Sequence, residues 1–321
     1  KACHAYGAKV SVQLQHAGPE GNAKAAGAPL KSASAIPAAC GRDIPLEITT
    51  KEIYDLIERY GDAALRAKKA GIDAVEVHCA HGYLLSSFLS LRTNKRVDEF
   101  GGSFENRTRL LRNGIAAAKA YEEDTFLVTA RIGVFDGFPY PYGFGVKEGK
   151  GIQPDMEEPI ALMKLLYEDY HMPMVNLTMG NPYVSTHVTR PFDQGKYVPE
   201  EHPLYGVARL INGIGEVKKA VPGMVISASG PSYLRQYSDL FAAGAIKEGL
   251  CDQMLFGRMS FANPEFPKQI IENGRVDSKK VCISCGKCGD LIRAGKPTGC
   301  VVRDTEVYLK YYQEFRQENA V

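Results

Sequence analysis

The stretch Thr49–His78, TTKEIYDLIERYGDAALRAKKAGIDAVEVH, contains the unit from which the fold can be predicted. Thr49 and Glu52 stand three residues apart, as in a capping box that starts a helix. Apolar residues then recur at helical spacing until Gly71 ends the helix. The run Asp73–His78 alternates apolar and polar residues, which is typical of a strand. A helix that leads into a strand is the repeating unit of an α/β protein.

The same alternation extends along most of the chain. Strands are predicted at Val10–Gln15, Asp73–His78, Thr125–Ile132, Met174–Thr178, Met224–Ser229 and Gln253–Arg258. Further helices are predicted at Arg107–Lys119, Glu158–Tyr167, Tyr205–Ala220 and Tyr233–Ala243, with a helix end at Lys1–Tyr6. This alternation predicts a parallel sheet with helical crossovers, which a doubly wound sheet and a (β/α)8 barrel both provide.

Two features favour the barrel. No predicted strand is followed by the G-x-G-x-x-G turn of a dinucleotide-binding open sheet. Polar residues also lie at the carboxyl ends of several predicted strands, namely Gln13, His78, Arg131, Asn176 and Arg258. Because a barrel assembles its active site from those ends, we predict an α/β fold of the (β/α)8 TIM-barrel class.

Composition narrows the range of functions. The chain has 321 residues, of which 45% are hydrophobic, so a large core can be buried. The 39 Lys and Arg residues nearly balance 37 Asp and Glu, and the net charge of +2 gives no electrostatic reason to expect nucleic acid or a membrane as partner. No apolar run approaches the roughly 20 residues that cross a bilayer. We expect a cytoplasmic protein that acts on a small molecule.

The most specific motif is a group of cysteines near the end of the chain, Cys282, Cys285, Cys288 and Cys300. Three thiolates at this spacing can bind one iron–sulfur cluster, which the fourth completes, whereas zinc ribbons prefer two separate C-x-x-C pairs. We predict a [4Fe–4S] cluster, with zinc and free thiols as the alternatives. The prediction is therefore a barrel over residues 1–275 and a cysteine-cluster extension over 276–321.

Two imidazoles and a phenol are predicted at the mouth of the barrel. His78 ends a strand, and His81 and Tyr83 follow in the loop. Imidazole N–H groups can stabilise an enolate, and tyrosine can act as a general acid. The alternative is a pair of structural histidines, and a metal site is less favoured because no third ligand stands at a matching spacing.

Glycines follow the last two predicted strands. Ser229 and Gly230 end one strand, and Gly257 and Arg258 end the next. Barrels often bind a phosphate between these loops, where glycine lets backbone N–H groups approach and arginine supplies charge. The alternative is a pair of ordinary turns.

Two further strand-end residues suit a heterocycle. Arg131 follows an apolar strand, and a buried arginine needs an acceptor, either a neighbouring carboxylate or the electron-rich edge of a cofactor. The amide of Gln13 can both donate and accept hydrogen bonds.

Together these motifs resemble the old yellow enzyme family of flavin-dependent oxidoreductases, and within it the branch of 2,4-dienoyl-CoA reductases, enoate reductases and trimethylamine dehydrogenase. The resemblance covers nearly the whole chain and rests on Gln13–Gly18, His78–Leu85, Thr93–Arg107, Phe256–Arg258 and Asn263–Pro264. Pro19 replaces the arginine that usually follows His-Ala-Gly, and Met179–Asp193 departs from the common pattern. Because Met179–Asp193 departs from the pattern, we expect an unusual substrate pocket. The family's first two strands have no counterpart, so we expect an N-terminally truncated barrel.

The resemblance implies FMN as cofactor and gives each candidate residue a role. Gln13 would bond the pyrimidine edge, and Arg131 would face N1 and O2. His78 and His81 would bind the substrate carbonyl or carboxylate, and Tyr83 would protonate its α-carbon after flavin N5 delivers hydride to the β-carbon. The phosphate would be held by Ser229, Gly230, Gly257 and Arg258. The four cysteines would bind the [4Fe–4S] cluster of that branch.

The implied reaction is reduction of a C=C bond conjugated to a carbonyl, acid or thioester. Electrons would come from NAD(P)H directly, or through the cluster from a separate flavoprotein, under anaerobic conditions. One alternative is an amine dehydrogenase that sends electrons outward, which the paired histidines argue against. Another is an electron-transfer subunit without flavin, which the intact FMN residues argue against. The sequence leaves a homo-oligomeric state open.

Overall fold

The computed structural model describes residues 1–39, 43–149, 153–193 and 197–319. Its strands are β1 (Ser11–Leu14), β2 (Lys31–Ser32), β3 (Leu46–Glu47), β4 (Ala74–Cys79), β5 (Leu127–Gly133), β6 (Met174–Thr178), β7 (Val225–Ser229) and β8 (Gln253–Leu255). Within these ranges, six strands form one parallel sheet in the order β1-β4-β5-β6-β7-β8, and β2 pairs with β3. Spatial order follows chain order without reversal, which is the winding of a barrel and not that of a doubly wound sheet.

Helices connect these strands. They are α1 (Ala23–Ala26), α2 (Thr50–Lys69), α3 (Leu84–Leu89), α4 (Phe104–Lys119), α5 (Glu157–Glu168), α6 (Thr186–Thr189), α7 (Pro203–Ala220), α8 (Ser238–Lys247), α9 (Gly257–Ala262), α10 (Phe266–Asn273), α11 (Lys287–Arg293) and α12 (Thr305–Glu318). The capping box at the start of α2 is confirmed, because the Thr49 hydroxyl accepts from the Glu52 N–H and the Glu52 carboxylate accepts from the Thr49 N–H. None of the described helices is both long and apolar enough to cross a membrane.

Four predicted elements were wrong in type or by three or more residues at one end. The helix predicted to begin at Arg107 begins at Phe104. The strand predicted to end at Arg258 ends at Leu255, and Arg258 lies in the first turn of α9. The helix predicted over 233–243 begins as the 3-10 segment Pro231–Tyr237, and Arg235, with φ 52°, breaks it before α8. The N-terminal helix end is a 3-10 turn at His4–Tyr6.

The two faces of the sheet differ in polarity because side chains alternate along each strand. One face is apolar and fully buried against α2, α4, α5 and α7; it includes Val75, Val77, Val128, Ala130, Val175, Leu177, Ile226 and Ala228. The other face is polar. The strand register places His78 beside Arg131 and Arg131 beside Asn176. Neighbouring polar residues therefore meet at the carboxyl edge of the sheet, as the sequence predicted.

The cysteine-bearing segment is fixed against the barrel part. Val276 and Val281 are buried in a small apolar cluster with Met259 of α9. The Ser284 hydroxyl donates to the Ser232 carbonyl at 3.2 Å, beside the loop that follows β7. The cysteines consequently lie near the predicted phosphate loops. The boundary at residues 275 and 276 stays a prediction.

Candidate active site

The structure brings His78, His81 and Tyr83 together. The ring centroids of His78 and His81 are 5.3 Å apart, and those of His78 and Tyr83 are 5.2 Å apart. The rings of His81 and Tyr83 are 6.4 Å apart. Two imidazoles and a phenol therefore form one cluster at the carboxyl edge of β4, in the arrangement that the sequence predicted.

A sharp backbone turn creates this cluster. His81 and Gly82 have positive φ angles of 63° and 81°. A Cβ at Gly82 would lie 2.5 Å from Asn181 Nδ2, so only glycine fits there. His81 holds a left-handed conformation that few residues with a side chain adopt, and such conformations concentrate at functional sites.

Both imidazoles are neutral at neutral pH. Burial, aided by the nearby Arg131 guanidinium, lowers the pKa of His78 to about 4. Burial also holds the pKa of His81 well below its usual value, with Arg131, His78 and Arg190 adding to the effect. Each ring keeps one N–H group that can donate to an oxygen atom.

Sequence analysis missed two polar neighbours of the cluster. Tyr83 OH lies 3.1 Å from Tyr183 OH, and His81 Nε2 lies 3.4 Å from Thr178 Oγ1. Thr178 could have been found, because it shares the inward face of β6 with Asn176. Tyr183 lies in an irregular loop, and no periodic pattern indicates where its side chain points.

A polar cradle lies beside the cluster, centred on Glu76. Gln13 Nε2 donates to Glu76 Oε1 at 2.6 Å, and Asn176 Nδ2 donates to Glu76 Oε2 at 3.1 Å. In the described part of the chain, His78 Nδ1, Arg131 Nε and Asn176 Oδ1 are buried without a hydrogen-bond partner. Unsatisfied buried polar atoms are costly, so this edge of the sheet suits a bound heterocycle that supplies donors and acceptors.

The two glycine-containing turns lie at the same edge. The register pairs Ser229 of β7 with Leu255 of β8. Gly230 has φ 103°, and a Cβ there would lie 2.8 Å from Leu210 Cδ1. A Cβ at Gly257 would meet no atom of the described residues within 4 Å. The backbone at Gly257 is therefore open to close approach by a ligand, whereas glycine is required at position 230 by its φ angle and by the Leu210 side chain.

Arg258 lies beside the cysteines as well as beside these turns. Arg258 and all four thiols of the predicted cluster line one cavity: Cys282, Cys285, Cys288 and Cys300. Burial lowers the pKa of Arg258, and the nearby thiol groups oppose that effect. The sequence had placed this residue at a strand end with a role toward phosphate only.

The four thiols are unpaired and partly buried. Backbone N–H groups point at two of them, since Ser284 N donates to Cys282 Sγ and Arg303 N donates to Cys300 Sγ, each at 3.4 Å. Among the residues that the structure describes, no group of three or more His, Cys, Asp or Glu is arranged to hold a metal ion.

The pKa of His78 yields a prediction about stability. The unfolded chain binds a proton at His78 near pH 6.5, whereas the folded chain does so near pH 4. Acidification through this window therefore favours unfolding. We expect wild type to lose free energy of unfolding relative to His78→Asn as the pH falls from about 6.5 to about 4.

Urea denaturation of both proteins between pH 4 and pH 7 measures this difference. Burial raises the pKa of Asp136 to about 7, which weakens stability as the pH rises, but both proteins share that effect and it cancels. A difference that is the same at every pH would contradict the neutral, buried imidazole.

Comparison with known proteins finds sequence similarity to NADH:flavin oxidoreductases. Residues 1–144 match the NADH:flavin oxidoreductase / NADH oxidase family. The chain is 31% identical over 324 residues to an NADH oxidase of Thermoanaerobacter brockii, in a match that covers 99% of this chain and 44% of that protein. The chain thus spans less than half the length of this relative.

Two solved structures share the fold. A complex of 2-naphthoyl-CoA reductase with 2-naphthoyl-CoA superposes with a TM-score of 0.77 at 25% identity, over 94% of this chain and 43% of that one. An old yellow enzyme homologue from Zymomonas mobilis superposes with a TM-score of 0.62 at 24% identity, over 86% of this chain and 70% of that one. The sequence matches show that the chain belongs to the NADH:flavin oxidoreductase family, the old yellow enzyme family, and the two superpositions show the shared fold.

Proposed function

We propose that the chain carries the active site of an FMN-dependent reductase that acts on an alkene conjugated to a carbonyl, acid or thioester. The observation that carries the proposal is the cluster of His78, His81 and Tyr83, in which two neutral imidazoles and a phenol meet. Two N–H donors suit a substrate oxygen on which negative charge develops, and a phenol suits proton donation to the neighbouring carbon.

The residues of the polar cradle fit a flavin. Arg131 Nε and Asn176 Oδ1 are buried atoms that a ring edge could satisfy. Arg131 would face N1 and O2, Gln13 would bond the pyrimidine edge, and the phosphate would be held by Ser229, Gly230, Gly257 and Arg258. Bound and reduced, FMN would supply a hydride from N5 to the β-carbon of the substrate.

Protein side chains would bind the substrate oxygen and supply the proton. His78 and His81 would hold the substrate oxygen and stabilise the charge that collects on it, and burial of both rings strengthens such hydrogen bonds. Tyr83 would transfer its O–H proton to the α-carbon. NAD(P)H, or a separate electron-donating flavoprotein, would replenish the electrons.

A substrate panel tests this proposal. The holoprotein is incubated anaerobically with NADH or NADPH and with an enone, an enoate or an enoyl-CoA. We expect oxidation of the nicotinamide in proportion to the alkene that is reduced. Flavin that reacts only with methylamines would indicate an amine dehydrogenase, and a protein without flavin would indicate an electron-transfer subunit. Either result would overturn the proposal.

We also propose that Cys282, Cys285, Cys288 and Cys300 bind a [4Fe–4S] cluster, with zinc as the alternative. The support is a set of four thiols around one cavity, with backbone N–H groups directed at two of the sulfurs. Thiolates are soft ligands that favour iron–sulfur clusters and zinc, and N–H bonds to sulfur stabilise the negative charge of such clusters. A bound [4Fe–4S] cluster would transfer single electrons.

Replacement of one thiol tests the cysteine site. Cys285→Ser is expected to lower iron from about four atoms per chain to well below one, because four thiolates hold a cubane cluster. Cys251→Ser is the matched control, since Cys251 is buried in the main core and should leave the iron content unchanged. Zinc in place of iron, or equal iron in both variants, would contradict the assignment.

A further inference from the structure

The loop that follows β6 places a second tyrosine, Tyr183, beside the candidate active site. Tyr83 OH and Tyr183 OH are 3.1 Å apart, within hydrogen-bond distance. The two rings meet edge to face, with centroids 6.1 Å apart and an interplanar angle of 73°. Both the ring packing and the hydroxyl contact therefore tie the candidate proton donor to a residue of another loop.

The turn that carries Tyr183 is held by its own hydrogen bonds. Gly180, with φ 83°, donates its N–H to the Phe135 carbonyl at 2.6 Å. Asn181 is only 2% exposed, and its Oδ1 accepts the Tyr183 N–H at 2.9 Å. The Asn181 carbonyl also accepts the N–H groups of Val184 and Ser185. The backbone at Tyr183 is thus fixed from both sides.

This turn packs directly on the loop that carries Tyr83. A Cβ at Gly82 would lie 2.5 Å from Asn181 Nδ2, so the Asn181 amide fills the space that glycine leaves between His81 and Tyr83. The two loops therefore pack together through the buried Asn181 amide and Gly82. Consequently, the distance between the two phenols is set by the fold, and not by a chance side-chain rotamer at the surface.

We propose that Tyr183 positions the Tyr83 hydroxyl and returns its proton. When the C–H bond forms at the substrate α-carbon, the Tyr83 O–H bond breaks. The Tyr183 O–H then donates its proton to the Tyr83 oxygen, and water restores the proton on Tyr183. The inference rests on the proposed function, in which reduced flavin provides the hydride for the β-carbon. Tyr183 is a positioning residue, because it acts through Tyr83.

Kinetics of Tyr183→Phe provide the first test. Loss of one hydrogen bond between neutral groups is expected to lower kcat for alkene reduction about tenfold and to change KM less than about twofold. The solvent deuterium isotope effect on kcat should increase, because proton transfer becomes slower. Tyr197→Phe is the control. The Tyr197 hydroxyl lies 3.0 Å from His187 Nδ1, so its removal leaves the contact between Tyr83 and Tyr183 in place. The kcat of this control should equal that of wild type.

A spectroscopic test needs no turnover. With 3-fluorotyrosine placed at position 83, Tyr183→Phe should shift the fluorine-19 resonance, and Tyr197→Phe should not. An unchanged resonance in Tyr183→Phe, or an unchanged kcat, would overturn the inference. A shifted resonance in a protein that reduces no alkene would support the contact between the phenols and refute the proposed function instead.

Discussion

Replacement of His81 by Ala is expected to lower kcat/KM for an α,β-unsaturated carbonyl by about 10²–10³-fold, the usual cost of one oxyanion-stabilising donor in a buried site. His81 is held neutral by burial and lies beside His78, so its ring keeps an N–H group that can donate to the substrate oxygen. Without the His81 donor, only the His78 imidazole would stabilise the negative charge on the substrate oxygen. We expect the lower kcat/KM to come mainly from a slower reductive step. The free energy of unfolding should change less.

Two comparisons separate the effect of losing the N–H donor from the effect of the positive φ angle at this position. His81→Asn keeps an N–H donor and tolerates the φ of 63° at this position, so it should retain much more activity than His81→Ala. Binding of 4-nitrophenolate, followed by its absorbance, reports the same donors without turnover. The role of His81 in oxyanion binding would be refuted by His81→Ala and His81→Asn proteins with equal kcat/KM and equal phenolate affinity.

Tyr83→Phe is expected to lower kcat for alkene reduction by about 10²–10⁴-fold, the range for loss of a positioned general acid. Phenylalanine preserves the edge-to-face packing on His78 and Tyr183 and removes only the hydroxyl. The substrate should still bind, so KM should change little. The defect is expected in the proton transfer alone.

Oxygen as electron acceptor provides the control for Tyr83→Phe. Consumption of NAD(P)H by oxygen needs no proton at a substrate carbon, and it should proceed at the wild-type rate. Stopped-flow measurement with alkene and with oxygen on the same protein gives the ratio of the two reaction rates directly. Equal loss with alkene and with oxygen would show that Tyr83 supports the flavin site and is not the proton donor.

Much of the candidate site was readable from the sequence because parallel strands align their carboxyl ends. His78, Arg131 and Asn176 each lie near the carboxyl end of a strand, and the register makes them neighbours. A period of two residues then places them on one face, opposite the apolar residues that pack on helices. The cluster of His78, His81 and Tyr83 followed from the same alternation plus a short loop.

The remaining features depend on contacts between distant segments. Tyr183 reaches Tyr83 because Asn181 packs against Gly82, a contact about a hundred residues apart along the chain. Arg258 was expected at a strand end, but α9 starts at Gly257 and turns the guanidinium toward the cavity lined by the cysteines. Local patterns specify strands and helices, whereas the packing of loops against each other decides such placements.

Flavin and iron content of the purified holoprotein test the central claim most directly. The protein is isolated without oxygen, its visible spectrum is recorded, and the released flavin is identified after denaturation. The polar cradle, together with Arg131, predicts about one FMN per chain, and the four cysteines predict about four irons. Arg131→Leu should lose the flavin and keep the iron. Folded wild-type protein that releases no FMN would contradict the proposed active site.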